Sequence, residues 1–197
     1  MLLPDGHHDV PAGKLAMIVT SLAMTAPPRH RPDPVPAPWR LERIEVPEPD
    51  AYRALFRRVG QEWLWFSRLR LSDAALLAIL HDPNVAVYRL VAETGEGGLL
   101  ELDFREEGNC ELSFFGLVPE LIGSGAGRWL MNQALDLAWA RPIRRFWVHT
   151  CTLDHPKALD FYIRSGFEPI GRQVEIAEDP RRAGLMPRAA APQIPLL

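Results

Sequence analysis

The segment from Phe114 to Leu130 reads FFGLVPELIGSGAGRWL, a composition suited to holding an anion. An apolar run ends at Pro119, glycines follow at Gly123, Gly125 and Gly127, and a helical pattern begins directly after them. Spaced glycines let the backbone approach a ligand, and the first turn of a helix presents unpaired N–H groups and the positive end of its dipole. A phosphate or diphosphate suits such a place. Two familiar phosphate loops fail on spacing. A Walker loop needs Gly-Lys-Ser/Thr, but Gly127 is followed by Arg128 and Trp129; a dinucleotide fingerprint counted from Gly123 needs a third glycine where Arg128 stands. Cys110 and Cys151 cannot build a disulfide framework and lack the spacing of a metal site, so both read as reduced core residues and no metal is expected. His7 and His8 read as solvent-exposed.

These residues need elements to position them. Trp39 to Val46 alternates apolar and charged residues, as a half-buried strand would, and residues 49–59 (PDAYRALFRRV) form an amphipathic helical pattern. Trp63, Trp65 and Phe66 follow as an aromatic cluster, a candidate pocket wall, before Ser72 and Asp73 cap a second helix, AALLAIL. Three strands come next, Val85–Ala92, Gly98–Phe104 and Cys110–Val118, with Gly95, Gly97 and Gly98 expected in one turn and Glu107-Gly108-Asn109 in the other. This is an antiparallel meander. A helix over Gly127–Ala140 then leads to a strand, Phe146–Cys151, which must run parallel to the one before. A helix from Pro156 to Ser165 ends at Gly166, and a last strand occupies Phe167–Ile176. The order predicts an α/β (mixed α+β) fold, with a mixed central sheet covered by helices on both faces.

Prolines mark the limits of that unit. Of 19, eight fall within residues 1–38 and four in the last eighteen, so the folded domain is expected at 39–176, between a proline-rich arm (1–38) and a tail (177–197). The arm holds one strand-like run, Leu15 to Met24, expected to add to the sheet or to a partner. LAMIVTSLAMTA is too short and too polar to span a bilayer and lacks the basic start of a signal peptide, so a cytoplasmic setting with no membrane partner is expected. A net charge of −3 over 197 residues argues against coating nucleic acid and favours a cationic small molecule or peptide. The basic group Arg181, Arg182 and Arg188 reads as a solvated tail.

The glycine segment resembles the GNAT superfamily of acetyl-coenzyme A-dependent N-acyltransferases. The family motif is Arg/Gln-x-x-Gly-x-Gly/Ala after a strand ending in an apolar-x-Pro turn. Leu117-Val118-Pro119 is similar to that turn and Ile122-Gly123-Ser124-Gly125-Ala126-Gly127 to the loop, with Ile122 where the family has Arg or Gln. Downstream the family shows Asn-x-x-Ala-x-x-x-Tyr-x-x-x-Gly-Phe. Here Ala158, Tyr162, Gly166 and Phe167 match in register, and His155 replaces the Asn. The resemblance spans Trp39 to Ile176.

The resemblance implies acetyl-coenzyme A as cofactor, a parallel strand pair that splays apart, and direct acyl transfer to a primary amine of a small molecule or peptide. Cofactor contacts would come from Phe115, Gly116, Leu117, Val118, Gly123, Ser124, Gly125, Ala126, Gly127, Arg128, His155 and Ala158. Tyr162 would protonate the departing thiolate. An amine with a pKa of about 10 must lose a proton before it attacks. The resemblance of CELSFFGL to the base-bearing strand of histone-type acetyltransferases makes Glu111 the first choice of base, with Glu101, Asp103 and His149 as alternatives. Trp63, Trp65, Phe66, Glu101, Asp103 and His149 would form the acceptor pocket. A non-catalytic acyl-coenzyme A sensor and a transferase acting on protein amines through an open groove remain alternatives, and a homodimer is left open.

Overall fold

A computed structural model describes residues 3–34 and 37–196. Pro36 of the proline-rich arm, with residues 1, 2, 35 and 197, lies outside that description. Seven strands form one sheet: β1 (Lys14–Met24), β2 (Arg40–Arg43), β3 (Val85–Ala92), β4 (Gly95–Asp103), β5 (Asn109–Leu117), β6 (Arg145–Cys151) and β7 (Glu168–Glu178). Their order is β2-β3-β4-β5-β6-β1-β7. Among the described residues only β5 and β6 pair in parallel; every other recorded pair is antiparallel. Four helices accompany them, α1 (Pro49–Gly60), α2 (Asp73–Leu80), α3 (Ala126–Trp139) and α4 (Ala158–Arg164). The mixed fold read from the sequence is the fold observed. No helix among the described residues is long and apolar enough to cross a membrane.

Side-chain alternation on the strands divides the interior into two cores. On β4, Leu99 joins the cluster under α1 and α2, with Phe56, Val59 and Leu76, whereas Leu100 and Leu102 join the cluster under α3, with Leu130, Met131 and Ala134. Helix α1 buries Tyr52, Leu55, Phe56 and Val59, an i, i+3, i+4, i+7 stripe, and begins with a proline in its first turn. Ser72 accepts a hydrogen bond from the Ala75 N–H and so caps α2 as expected.

Two expectations are corrected, for the β3–β4 turn and for the C-terminal tail, and a third, that the run in the arm adds to the sheet, is met. The turn between β3 and β4 falls at Glu93-Thr94, and the glycines expected there belong to β4. They allow close approach instead, since a Cβ on Gly98 would stand 2.8 Å from the Gly116 carbonyl oxygen on the neighbouring strand. The run expected in the arm is β1, and it lies inside the sheet, pairing with β6 on one side and β7 on the other. Leu15, Met17 and Val19 face the α1/α2 core, while Leu22 and Met24 face the α3 core. Arg181, expected in a solvated tail, is 4% exposed. It pairs with Asp179 at 2.7 Å and donates to the carbonyls of Ala190, Ile194 and Pro195. The tail thereby folds back, placing Met186, Ala190 and Ala191 in the α1/α2 core.

Candidate active site

β5 and β6 open the site. Their recorded pairing stops at Glu111↔Trp147. Beyond that pair the strands separate, and residues 112–117 of β5 and 148–151 of β6 line the two sides of a cleft of about 700 Å³. Along this stretch β5 still pairs with β4 but has no strand on its other side, so its backbone groups there remain available to an extended ligand. A register shift opposite Glu101 and Leu102 leaves Ser113 as the extra residue of a bulge. The Ser113 hydroxyl is buried at the cleft without a hydrogen-bond partner among the described residues.

The glycine loop closes one end. Gly123 and Gly125 have φ of +86° and +96°, the left-handed region that a side chain rarely adopts, and Gly125 immediately precedes α3. The N–H groups of Ser124 and Ala126 bond back to Leu121 and to the Ser124 hydroxyl. Those of Gly123, Gly125 and Gly127 have no acceptor among the described residues. Three free donors at the positive end of a helix fit a diphosphate, which tests and supports the match of the loop to coenzyme A.

Of the expected cofactor contacts, Phe115, Gly116, Leu117, Gly123, Ser124, Gly125, Gly127, Arg128, His155 and Ala158 line this cleft. Val118 and Ala126 do not; their side chains are buried in the two cores. His155 accepts from the Lys157 N–H through Nδ1 and packs edge-on against Trp63, so it shapes the entry to α4. Tyr162 lines the cleft at 7% exposure among Phe115, Phe161 and Phe167. Burial, reinforced by the nearby Asp154 carboxylate, pushes its phenol pKa well up, so the hydroxyl stays protonated.

Trp63, Trp65, Phe66 and His149 also line the cleft. Glu101 and Asp103, expected beside them, do not. Glu101 is fully buried under α1, accepting from the Tyr52 hydroxyl at 2.5 Å and from Arg68 at 2.6 Å. Asp103 is clasped by the guanidinium of Arg105. Both carboxylates are occupied in the fold. Glu111, the first choice of base, does not line the cleft; it lies 3.6 Å from Nδ1 of His149, which does. Its carboxyl pKa is raised, mainly by burial, against the lowering effect of His149.

Sequence reasoning missed eight polar residues on the lining: Arg31, Ser67, Ser113, Thr150, Asp154, Lys157, Arg164 and Glu175. Asp154 accepts from the Trp65 indole at 3.1 Å, the Thr150 hydroxyl at 2.7 Å and the Cys151 N–H at 2.8 Å. A polar residue inside the apolar run CELSFFGL was the available signal for Ser113. Cys151 lines the cleft too, but burial and Asp154 push its thiol up to about 11, so it offers little thiolate at neutral pH.

The fold agrees with what known proteins show. The acetyltransferase (GNAT) family model matches residues 40–167. The chain belongs to the GNAT acetyltransferase family. No curated protein matches its sequence. Among solved structures it resembles a GCN5-related N-acetyltransferase from Sphaerobacter thermophilus, with TM-score 0.63 and 13% identity over 83% of this chain and 52% of that one. It also resembles a conserved protein of unknown function from Staphylococcus epidermidis (TM-score 0.55, 12% identity, 85% of this chain and 63% of that one). A third is an aminoglycoside acetyltransferase from an uncultured soil metagenomic sample, at TM-score 0.53 and 16% identity over 66% of this chain and 88% of that one. At these identities the likeness is one of fold. The chain spans between half and two thirds of the length of the first two.

Proposed function

We propose that the cleft transfers an acetyl, or other short acyl, group from coenzyme A directly to a primary amine of a small molecule or peptide. One observation carries the reading: the free N–H groups of the glycine loop, the open edge of β5, Tyr162 and His149 all meet at one cleft, and Glu111 lies 3.6 Å from His149 outside its lining. Acetyl-coenzyme A would supply an activated acyl thioester. The N–H groups of Gly123, Gly125 and Gly127 hold the diphosphate, and the unpaired backbone of residues 112–117 holds the amide-bearing arm as an added strand would. An N–H of the same stretch polarises the thioester carbonyl.

The acceptor approaches from the side of Asp154, Glu175 and the Trp63–Phe66 wall, where carboxylates attract a cationic amine and the aromatic faces favour it further. His149 takes the proton the amine must lose, with Glu111 behind it to orient the ring and stabilise its positive charge. The N–C bond forms as the C–S bond breaks, and Tyr162 offers its proton to the departing sulfur before recovering one from solvent. With Cys151 protonated, no acyl-cysteine step is needed. Isothermal titration with acetyl-coenzyme A, followed by thiol release across a panel of amines, tests the reading. Absence of binding at millimolar ligand overturns it, and binding without thiol release for any amine makes the protein a cofactor-binding module instead.

A further inference from the structure

The arm ahead of β2 does more than lead into the domain. Its residues 29–34 run along one stripe of α3, where Arg128, Asn132 and Asp136 recur at i, i+4 and i+8. Asn132, 4% exposed, donates to the Arg31 carbonyl at 2.8 Å and to the Asp33 carboxylate at 2.6 Å. Asp136 lies 3.1 Å from the His30 ring. A little further on, Pro34 packs so near the glycine loop that a Cβ on Gly125 would stand 3.2 Å from it. The arm is therefore pinned beside the anion end of the cleft.

This placement gathers three arginines. Arg29, Arg31 and Arg128 line one depression against Asn132 and Ser165, and Arg31 and Arg128 also line the main cleft. None of the three is paired with a carboxylate among the described residues, since Asp33 and Asp136 are engaged by Asn132 and His30. Arg128 keeps a buried Nε without an acceptor. Meanwhile the loop has Ile122, 42% exposed, where the family has a cationic or amide side chain. The glycine loop supplies donors for one phosphate group, and these arginines gather positive charge beside it.

Coenzyme A carries two such groups, a diphosphate and a phosphate monoester on the 3′-hydroxyl of its ribose. Resting on the functional reading above, we propose that Arg29 and Arg31 of the arm, with Arg128, bind the 3′-phosphate and make the protein selective for coenzyme A over dephospho-coenzyme A. A doubly charged monoester held by forked guanidiniums gains charge-assisted hydrogen bonds that the dephospho form cannot make.

The test is isothermal titration of the full chain with coenzyme A, dephospho-coenzyme A and adenosine 3′,5′-bisphosphate, repeated for R29A/R31A. The wild type should bind coenzyme A at least about tenfold tighter than the dephospho form, as one charge-assisted contact implies. Adenosine 3′,5′-bisphosphate should compete. The variant should lose most of the preference through weaker coenzyme A binding, with its affinity for dephospho-coenzyme A within about twofold of the wild type. Equal binding of both forms by the wild type overturns the inference and leaves the functional reading standing. So does a variant that keeps the preference, or one that weakens both ligands equally. No binding of either form by the wild type overturns both.

Discussion

Tyr162 and Glu111 are each shifted by burial in the direction that keeps a proton on, with different consequences. For Tyr162 the result is a phenol that remains a donor throughout the working range. Tyr162→Phe should lower turnover by about 100-fold, the low end for losing a general acid, while titration shows coenzyme A affinity unchanged. Equal turnover across pH would remove the role. Glu111 has a carboxyl raised above its ordinary value, so the folded state holds the proton more tightly than the unfolded chain. The stability this provides is complete below the ordinary carboxyl pKa and is lost as pH rises through the folded one. At neutral pH the native carboxylate thus carries a penalty that Glu111→Gln removes. Thermal melts should show that variant above the wild type at pH 7.5 and level with it near pH 4, even as turnover falls roughly tenfold. A lower melting point at pH 7.5 would instead make the carboxylate a net stabiliser through His149.

At the scale of elements, periodic stretches were legible in the sequence because the forces behind them are local. The meander, the four helices and the parallel return to β6 follow from alternation, helical spacing and turn residues within a few positions. The glycine loop was legible for the same reason. Asp154 was not, because it becomes a cleft residue through Trp65, which lies far away in the chain. Glu101 and Asp103 misled because an acidic residue on a strand looks the same whether Arg68 or Arg105 occupies it or it is free. The tail misled similarly: four prolines and three arginines read as solvent-loving, yet Arg181 is the post around which the segment folds. Burial alone would raise the Asp179 carboxyl, but hydrogen bonds from Arg181 outweigh it and hold it below its ordinary value. Arg181→Ala strands that carboxylate and should cost about 3–5 kcal/mol in urea unfolding. A change under 1 kcal/mol in that measurement would mean the tail is held by its apolar contacts alone.

The molecule as a whole is larger than the region that carries its family signature. Residues 40–167 contain the cleft's loop, β5 and β6, but neither β1 nor β7. Without β1, β6 loses its antiparallel neighbour and β7 has nothing to pair with among the recorded strands. Deleting residues 1–38 should therefore give insoluble or unfolded protein rather than a trimmed enzyme. Native-like circular dichroism and cooperative melting of that truncation would contradict the role assigned to β1.

The place of β1 also sets an order of events at the ribosome. β1 is made before both of its partners, Phe146 to Cys151 of β6 and the strand ending at Glu178. LAMIVTSLAM, apolar and β-prone, must wait unpaired until β6 and β7 have been synthesised. Closing so long a loop makes the final docking slow and the nascent chain prone to association in the interval.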